Sequence, residues 1–189
     1  MTTELEPTSR RRSDARLNAA AIVEAAKVVF ARSGVDAPAK EITDLAGVGV
    51  GTMYRAFPLR SDLVAAVVEK EIDACADVAV SLAADNEPGE ALAQWVQHYT
   101  ALVATKQGFA AALHSHDPGL KGIAPYVRQR LEPALQSLLD TAQETGVIRT
   151  ELTANDVIIA VALLCHPIPD EGVAFNQRLV SVFLNGLRS

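Results

Sequence analysis

The chain has 189 residues, of which 49% are hydrophobic but only 5% aromatic, and its formal net charge is −6. This length allows a sizeable core, and the composition favours packed helices rich in Ala, Val and Leu. Two cysteines are too few for a disulfide framework, and the longest apolar run, 157–165, is shorter than the roughly 20 residues that span a bilayer. With no signal-peptide pattern near Met1, we expect a cytoplasmic, reduced protein without a membrane partner.

The acidic total conceals an asymmetry along the chain. Residues 1–60 have a net charge of +2, whereas residues 61–189 have a net charge of −8. Four arginines precede the first apolar helix: Arg10, Arg11, Arg12 and Arg16. A basic arm of this kind can reach phosphates or a minor groove of DNA, although it could also serve only as a solubilising tail.

The first predicted helix spans about residues 14–32 and ends at Gly34. Its apolar side chains recur at helical spacing: Ile22, Ala25, Ala26, Val29 and Phe30. This stripe predicts a face that supports the helices that follow.

Residues 39–57 are interpreted as two short helices joined by a glycine turn, the first of them beginning at Lys40. Ile42, Leu45 and Ala46 are expected to form the packing face of the first helix, with Met53 and Phe57 packing from the second. The other side chains of the second helix are small or polar: Val50, Gly51, Thr52, Tyr54, Arg55 and Ala56. Such a surface can lie close to a duplex, so the segment predicts a DNA-reading helix-turn-helix.

A long fourth helix is predicted to begin near Ser61 and to run for about 20 residues, or roughly 30 Å. Further amphipathic helices are predicted from Leu92, Phe109, Val127, Val157 and Val173, with a mobile loop at 115–125 and a Thr153/Asp156 capping box. The chain is therefore expected to be all-α, with about nine helices.

Aromatic and histidine side chains in the second part of the chain could surround a cavity between helices. The candidates are Trp95, His98, Tyr99, Phe109, Leu113, His114, Tyr126 and His166. They predict a mostly hydrophobic small-molecule effector held by one or two hydrogen bonds, although each residue alone could simply fill the core.

The helix at 157–165 is apolar almost all round, so one buried face cannot account for it. Together with the last helix it predicts a four-helix homodimer interface formed by Ile158, Ile159, Ala162, Leu163, Leu179, Val182 and Phe183. The alternative is a monomer whose own core encloses the 157–165 helix.

No metal, cofactor or catalytic residue is predicted. His114, His116 and Asp117 lie near each other in sequence, and Cys165 adjoins His166, but no His pair has i, i+4 spacing and there is no Cys-x-x-Cys. Nucleophile-elbow and P-loop patterns are likewise missing from the sequence. We therefore do not expect an enzyme.

Residues 46–58, followed by Arg60 and Leu63, resemble the signature of the TetR family of bacterial transcription regulators. The resemblance extends upstream through Ile22, Ala25, Ala26, Phe30 and Gly34, and it covers about residues 16–68. Residues 92–99 and 142–149 are similar to the SbtR-like type of ligand domain.

The resemblance implies a DNA-binding domain at 10–60, a ligand-binding and dimerisation domain at 61–189, and a repressor released from a palindromic operator by its effector. It places Val50, Thr52 and Arg55 nearest the bases, and Tyr54 and Arg60 nearest the phosphates, with Lys40 and Gly51 as further DNA-binding candidates. Arg55 could equally contact a phosphate, and Tyr54 could instead belong to the core. Three positions depart from the family pattern: Gly49 lacks the usual capping hydroxyl, Ala56 replaces a common His, and Arg60 replaces a frequent Lys, a change that keeps the charge. A helical protein-interaction or small-molecule-binding module without sequence-specific DNA binding is the alternative function.

Overall fold

The structure is a computed structural model, and it describes residues 7–104, 120–149, 151–166, 168 and 170–188. Within these ranges there are eight helices and no strand: α1 (Pro7–Ser33), α2 (Ala39–Ala46), α3 (Val50–Ala56), α4 (Arg60–Asp85), α5 (Pro88–Ala104), α6 (Ile123–Glu144), α7 (Ala154–Leu164) and α8 (Val173–Leu187). The all-α prediction is confirmed. The predicted helix at 109–114 lies outside the described residues, as do His116 and Asp117.

The first compact unit extends to Val68 and is built on α1. Its apolar stripe is buried as predicted, with Ile22 and Ala26 fully enclosed, and α2 and α3 both pack against this helix. Ile42 of α2 and Met53 of α3 complete the core. The recognition segment is therefore held by a longer helix, which a two-helix motif of its size needs for stability.

The predicted packing face of α2 is wrong at one residue. Leu45 is 56% exposed, whereas Thr43 is buried beside Ile42 and donates its hydroxyl to the Lys40 carbonyl at 3.2 Å. The face of α2 that packs against the core is centred between Ile42 and Thr43, so Leu45 lies on the face that is exposed to solvent. Thr43 can occupy the core because its hydroxyl finds a backbone acceptor within the same turn.

The turn between α2 and α3 requires a glycine at one position. Gly47 has φ 67°, a left-handed conformation that side chains disfavour. Its amide and that of Val48 donate to carbonyls of the last turn of α2, at 3.4 and 3.1 Å. Gly49 is extended and supplies no side-chain cap to α3, as its lack of a side chain dictates.

The second compact unit begins at Glu69, so the boundary between the units falls within α4. Its core consists of helical side chains that are almost completely buried, among them Leu92, Trp95, Leu131, Leu135, Leu139, Val157 and Val161. The predicted capping box is confirmed: Thr153 accepts from the Asp156 amide, and the Asp156 side chain accepts from the Thr153 amide.

The prediction of a loop through residue 125 is wrong at its end, because α6 begins at Ile123. Ile123 is 1% exposed, and its burial anchors the first turn of the helix. Pro125 is compatible with this start because the first turn of a helix needs no amide donor. No helix in the described part of the chain is long and apolar enough to cross a membrane.

Candidate nucleic-acid interface and ligand groove

Helix α3 presents one polar, exposed face. Met53 points inward and is 3% exposed, whereas Val50 and Tyr54 are 40% and 52% exposed. Gly51 and Arg55 are also exposed, and Thr52 is half-buried. The Arg55 guanidinium donates through Nη2 to the Thr52 hydroxyl at 3.1 Å. The structure thus places the DNA-binding candidates of this helix away from the buried Met53 side: Val50, Gly51, Thr52, Tyr54 and Arg55.

Lys40 lies at the start of α2 and forms an exposed ion pair with Asp44, at 2.6 Å from Nζ to Oδ2. Pairs of this kind, between two exposed residues four apart on a helix, contribute only about 0.3–0.5 kcal/mol. Lys40 can therefore exchange Asp44 for a phosphate at little cost.

The basic arm is helical, which the sequence did not predict. Helix α1 begins at Pro7, seven residues earlier than expected, so Arg11, Arg12 and Arg16 are exposed side chains on its first turns. The side chain of Arg10 lies outside what the structure describes. The helix fixes where these side chains are attached to the backbone, more than one turn ahead of Ile22, where the buried stripe of α1 begins.

Arg60 lies apart from this exposed set. Its Nε donates to the Val35 carbonyl at 2.8 Å and its Nη2 to the Ala37 carbonyl at 2.6 Å. Its guanidinium carbon lies 4.7 Å from the centre of the Phe30 ring. Burial lowers the pKa of this guanidinium, while the charge of Asp36 acts in the opposite direction. The group remains a cation at neutral pH, but it faces the protein.

In the second unit, a groove of about 370 Å³ opens between α4 and α5. It is lined by Glu71, Ala74, Cys75, Val78, His98, Ala101 and Leu102. Only His98 among these was predicted as a ligand residue. The lining residues on α4 were not predicted, because the predicted ligand residues were mainly aromatic and histidine side chains, whereas this wall is built mainly of small apolar ones.

Trp95 and Tyr99 lie behind this groove, in the core. Their rings stack with centroids 5.8 Å apart, and the Trp95 indole donates to the Cys75 carbonyl at 2.9 Å. The Tyr99 hydroxyl is 3.5 Å from the Ile158 carbonyl, and burial raises the pKa of Tyr99, so its hydroxyl stays neutral. Both side chains are buried and are not part of the groove lining in the described structure.

The other predicted ligand residues do not join the groove. Tyr126 donates its hydroxyl to Asp73 at 2.8 Å, in a network where Arg130 contacts both Asp73 and Asp77. His166 is exposed after the end of α7. Phe109, Leu113 and His114 lie outside the described residues. A second, smaller crevice of about 280 Å³ between α5 and α8 includes none of the predicted residues.

The last two helices expose an apolar face. Ile159, Leu163 and Val182 are 51%, 70% and 70% exposed, with Ala162 also exposed and Leu179 and Phe183 half-buried. Ile158 differs from the predicted set: it is 6% exposed and packs into the core of its own protomer. Large apolar side chains that cluster in this way on neighbouring helices are typical of a surface that another chain covers.

Across the described residues, no group of three or more His, Cys, Asp or Glu side chains could hold a metal ion.

Helices α2 and α3 are short and are joined by a glycine turn, and α3 packs on α1 while its polar face stays exposed. This arrangement defines a helix-turn-helix DNA-binding protein.

Comparison with known families and structures makes the class specific. The model of bacterial regulatory proteins of the tetR family matches residues 22–67, and that of the SbtR-like transcriptional regulator C-terminal domain matches residues 87–189. The chain belongs to the TetR family, and it is a ligand-responsive DNA-binding transcriptional regulator. No curated protein matches the chain.

Two solved structures are similar over almost the whole chain. A TetR transcriptional regulator from Streptomyces coelicolor is 34% identical, with 90% of this chain and 98% of that one covered and a TM-score of 0.71. A TetR regulator from Mycobacterium vanbaalenii is also 34% identical, with 94% and 99% covered and a TM-score of 0.71. RolR in complex with resorcinol, 21% identical with 93% and 90% covered and a TM-score of 0.59, is similar in fold.

Proposed function

We propose that the protein is a repressor that binds a palindromic operator as a homodimer and is released from it by a small, mostly hydrophobic effector. The observation that carries this proposal is the exposed face of α3, which displays the hydrogen-bonded pair of Thr52 and Arg55 together with Val50 and Tyr54. Two such helices, one from each protomer, would enter successive major grooves about 34–36 Å apart.

The chemistry of each exposed side chain indicates whether it is suited to contact a base or a phosphate. Arg55 can donate two hydrogen bonds to guanine, and Val50 and the Thr52 methyl can contact a thymine methyl group. Tyr54, Lys40 and the arginines of α1 are suited to phosphates, because a hydroxyl or a cation that reaches a phosphate needs no base-specific geometry.

The apolar face of α7 and α8 is the proposed dimer interface. Ile159 and Leu163 lie one turn apart on α7, and Val182 extends the same kind of exposed surface on α8. Burial of apolar area stabilises such a contact by roughly 25 cal/mol per Å², and a closed two-fold dimer covers the same patch on both protomers.

The groove between α4 and α5 is the proposed effector site. Ala74, Val78 and Leu102 give it an apolar wall, and His98 can supply a hydrogen bond to a polar group of the effector. Helix α4 lines this groove and also follows α3 directly in the chain. An effector that prefers one position of α4 can therefore change the distance between the two recognition helices of the dimer. The change in DNA affinity can be only as large as the effector's preference for one position of α4 over the other.

The proposal includes action in the cytoplasm and no catalytic role. It is tested with a reporter gene placed behind the operator in a host that lacks this regulator. We expect the protein to repress the reporter and a panel of small hydrophobic compounds to contain one that relieves repression. An Ala101→Trp variant, which fills the groove, should repress normally but fail to respond to that compound; a normal response would place the effector site elsewhere.

The alternative, a helical module that uses the same surface to bind a protein, predicts a different response to salt. DNA binding that neutralises several phosphates weakens steeply as salt rises. An interaction of this surface that is insensitive to salt, with no enrichment of any DNA sequence, would favour the alternative.

A further inference from the structure

One side chain, that of Arg60, connects the chain that enters α2 with the chain that leaves α3, the recognition helix. Helix α2 starts at Ala39, just after Ala37, and α3 ends at Ala56, four residues before Arg60. The Arg60 guanidinium donates to the carbonyl of Ala37 at 2.6 Å and to that of Val35 at 2.8 Å. The chain that leaves α3 is therefore hydrogen-bonded to the chain that enters α2.

The same guanidinium also contacts the end of α1. It lies 4.7 Å above the ring of Phe30, which is 5% exposed and belongs to the core of the unit. Between Phe30 and Ala37 the chain turns at Gly34, which has φ 80° and donates its amide to the Phe30 carbonyl at 3.0 Å. Arg60 thus reaches the last turn of α1 and the loop that sets the direction of α2.

The geometry points to Arg60 as a positioning residue that clamps the 34–38 loop and so fixes the α2–α3 pair on α1, instead of contacting a phosphate. A planar guanidinium is suited to this task, because it can donate two hydrogen bonds in a fixed plane while its face covers an aromatic ring. A lysine keeps the charge but cannot reproduce this combination. The start of α4 is secured separately, since the Leu59 amide donates to Asp62 at 2.9 Å.

A positioning role and a phosphate-binding role for Arg60 predict opposite results when Arg60 is replaced by lysine. If Arg60 only binds phosphate, Arg60→Lys should retain DNA affinity, because lysine is also a good phosphate ligand. Arg60→Gln should then lower the slope of log Kd against log salt by about 0.9, the value for one lost phosphate contact. Neither change should alter the protein in the absence of DNA.

The test is hydrogen–deuterium exchange of the DNA-free protein, followed by binding to a mixed-sequence duplex over a series of salt concentrations. The Ala37 amide, which donates to the Gly34 carbonyl at 3.2 Å, reports on the loop. We expect its exchange to accelerate about tenfold or more in both Arg60→Lys and Arg60→Gln, since hydrogen bonds to a charged group are lost. Exchange in α6 should remain native-like, and Arg60→Lys should fail to restore native DNA affinity.

Arg55→Gln is the matched control, because it removes an exposed arginine of the same unit whose hydrogen bond goes to Thr52 on α3; it should leave exchange at Ala37 unchanged. Native exchange at Ala37 in both Arg60 variants would overturn the clamp, and full rescue of DNA affinity by lysine would assign Arg60 to a phosphate. The exchange measurement needs no DNA, so it tests the clamp even if the proposed DNA binding fails.

Discussion

Arg55 donates a hydrogen bond to the Thr52 hydroxyl, one turn earlier on the exposed face of α3, with 3.1 Å between Nη2 and Oγ1. A long arginine side chain loses much rotamer freedom when it docks on a base. The contact with Thr52 restricts Arg55 before DNA arrives. It also leaves the remaining guanidinium donors free for guanine, so the pair can act as a single reading element.

Replacement of Arg55 by Ala should weaken binding to the preferred operator by about 1–3 kcal/mol and relax the sequence preference at one position. Thr52→Val should cost less but relax the same position, because Arg55 loses its partner. A double-mutant cycle measured on operator duplexes should show coupling between the two changes. Additive effects would mean that the two residues read DNA independently, and uniform weakening on every sequence would assign Arg55 to a phosphate.

The arginines of α1 should act through charge alone. In Arg11→Gln/Arg12→Gln we expect the slope of log Kd against log salt on a mixed-sequence duplex to fall by about 0.9 for each phosphate contact removed. Arg128→Gln removes an exposed charge from α6 and is the control. An unchanged slope in the double variant would make the arm a solubilising segment.

The exposed apolar face should control assembly. Val182→Glu places a charge where the proposed interface excludes water, so sedimentation should show a monomer at micromolar concentrations at which we expect the native chain to be a dimer. Val80→Glu is a matched control, because Val80 is 77% exposed on α4 and Val182 is 70% exposed. A native chain that sediments as a monomer would contradict the proposed interface.

The capping box at α7 should make stability depend on acid pH. Hydrogen bonds from the Thr153 side chain and amide lower the pKa of Asp156 from its ordinary value of 3.8. A lowered pKa means that the folded state binds this proton more weakly than the unfolded state. The stabilisation is therefore present above the ordinary pKa and is lost as pH falls through the folded-state value.

We therefore expect Thr153→Ala to lower Tm at neutral pH, with a difference from the native chain that shrinks as pH falls to about 2. Thr145→Ala is the control, because the Thr145 hydroxyl donates to the Thr141 and Ala142 carbonyls and involves no carboxylate. Thermal unfolding followed by circular dichroism measures both. A constant Tm difference for Thr153→Ala across the pH range would show that Asp156 is not responsible.

The elements with the strongest periodicity were the most predictable. The last helix was predicted to begin at Val173 and is found at Val173–Leu187, and the capping box could be predicted because its two residues lie only three positions apart in the sequence. The prediction that Leu45 is buried was wrong, because the neighbouring helices determine which face of α2 is buried. Thr43 lies on that face, and its hydroxyl donates to a backbone carbonyl. Periodicity alone cannot anticipate such a choice.

The surroundings of Arg60 and of the groove could not be predicted for a related reason. Val35 and Ala37 are more than 20 residues from Arg60, and their acceptors are backbone carbonyls, which carry no sequence signal. The groove likewise depends on which faces of α4 and α5 meet, so Cys75 and Ala101 became visible as lining residues only in the folded chain.

Selection of bound fragments from the source genome by the purified protein is the most direct measurement of the central claim. A homodimer with two recognition helices predicts enrichment of an inverted repeat whose half-site centres lie about 10–10.5 base pairs apart, or a multiple of this. Arg55→Ala should relax one position in each half of that repeat. Failure to enrich any sequence, or enrichment of a single site without two-fold symmetry, would contradict the account.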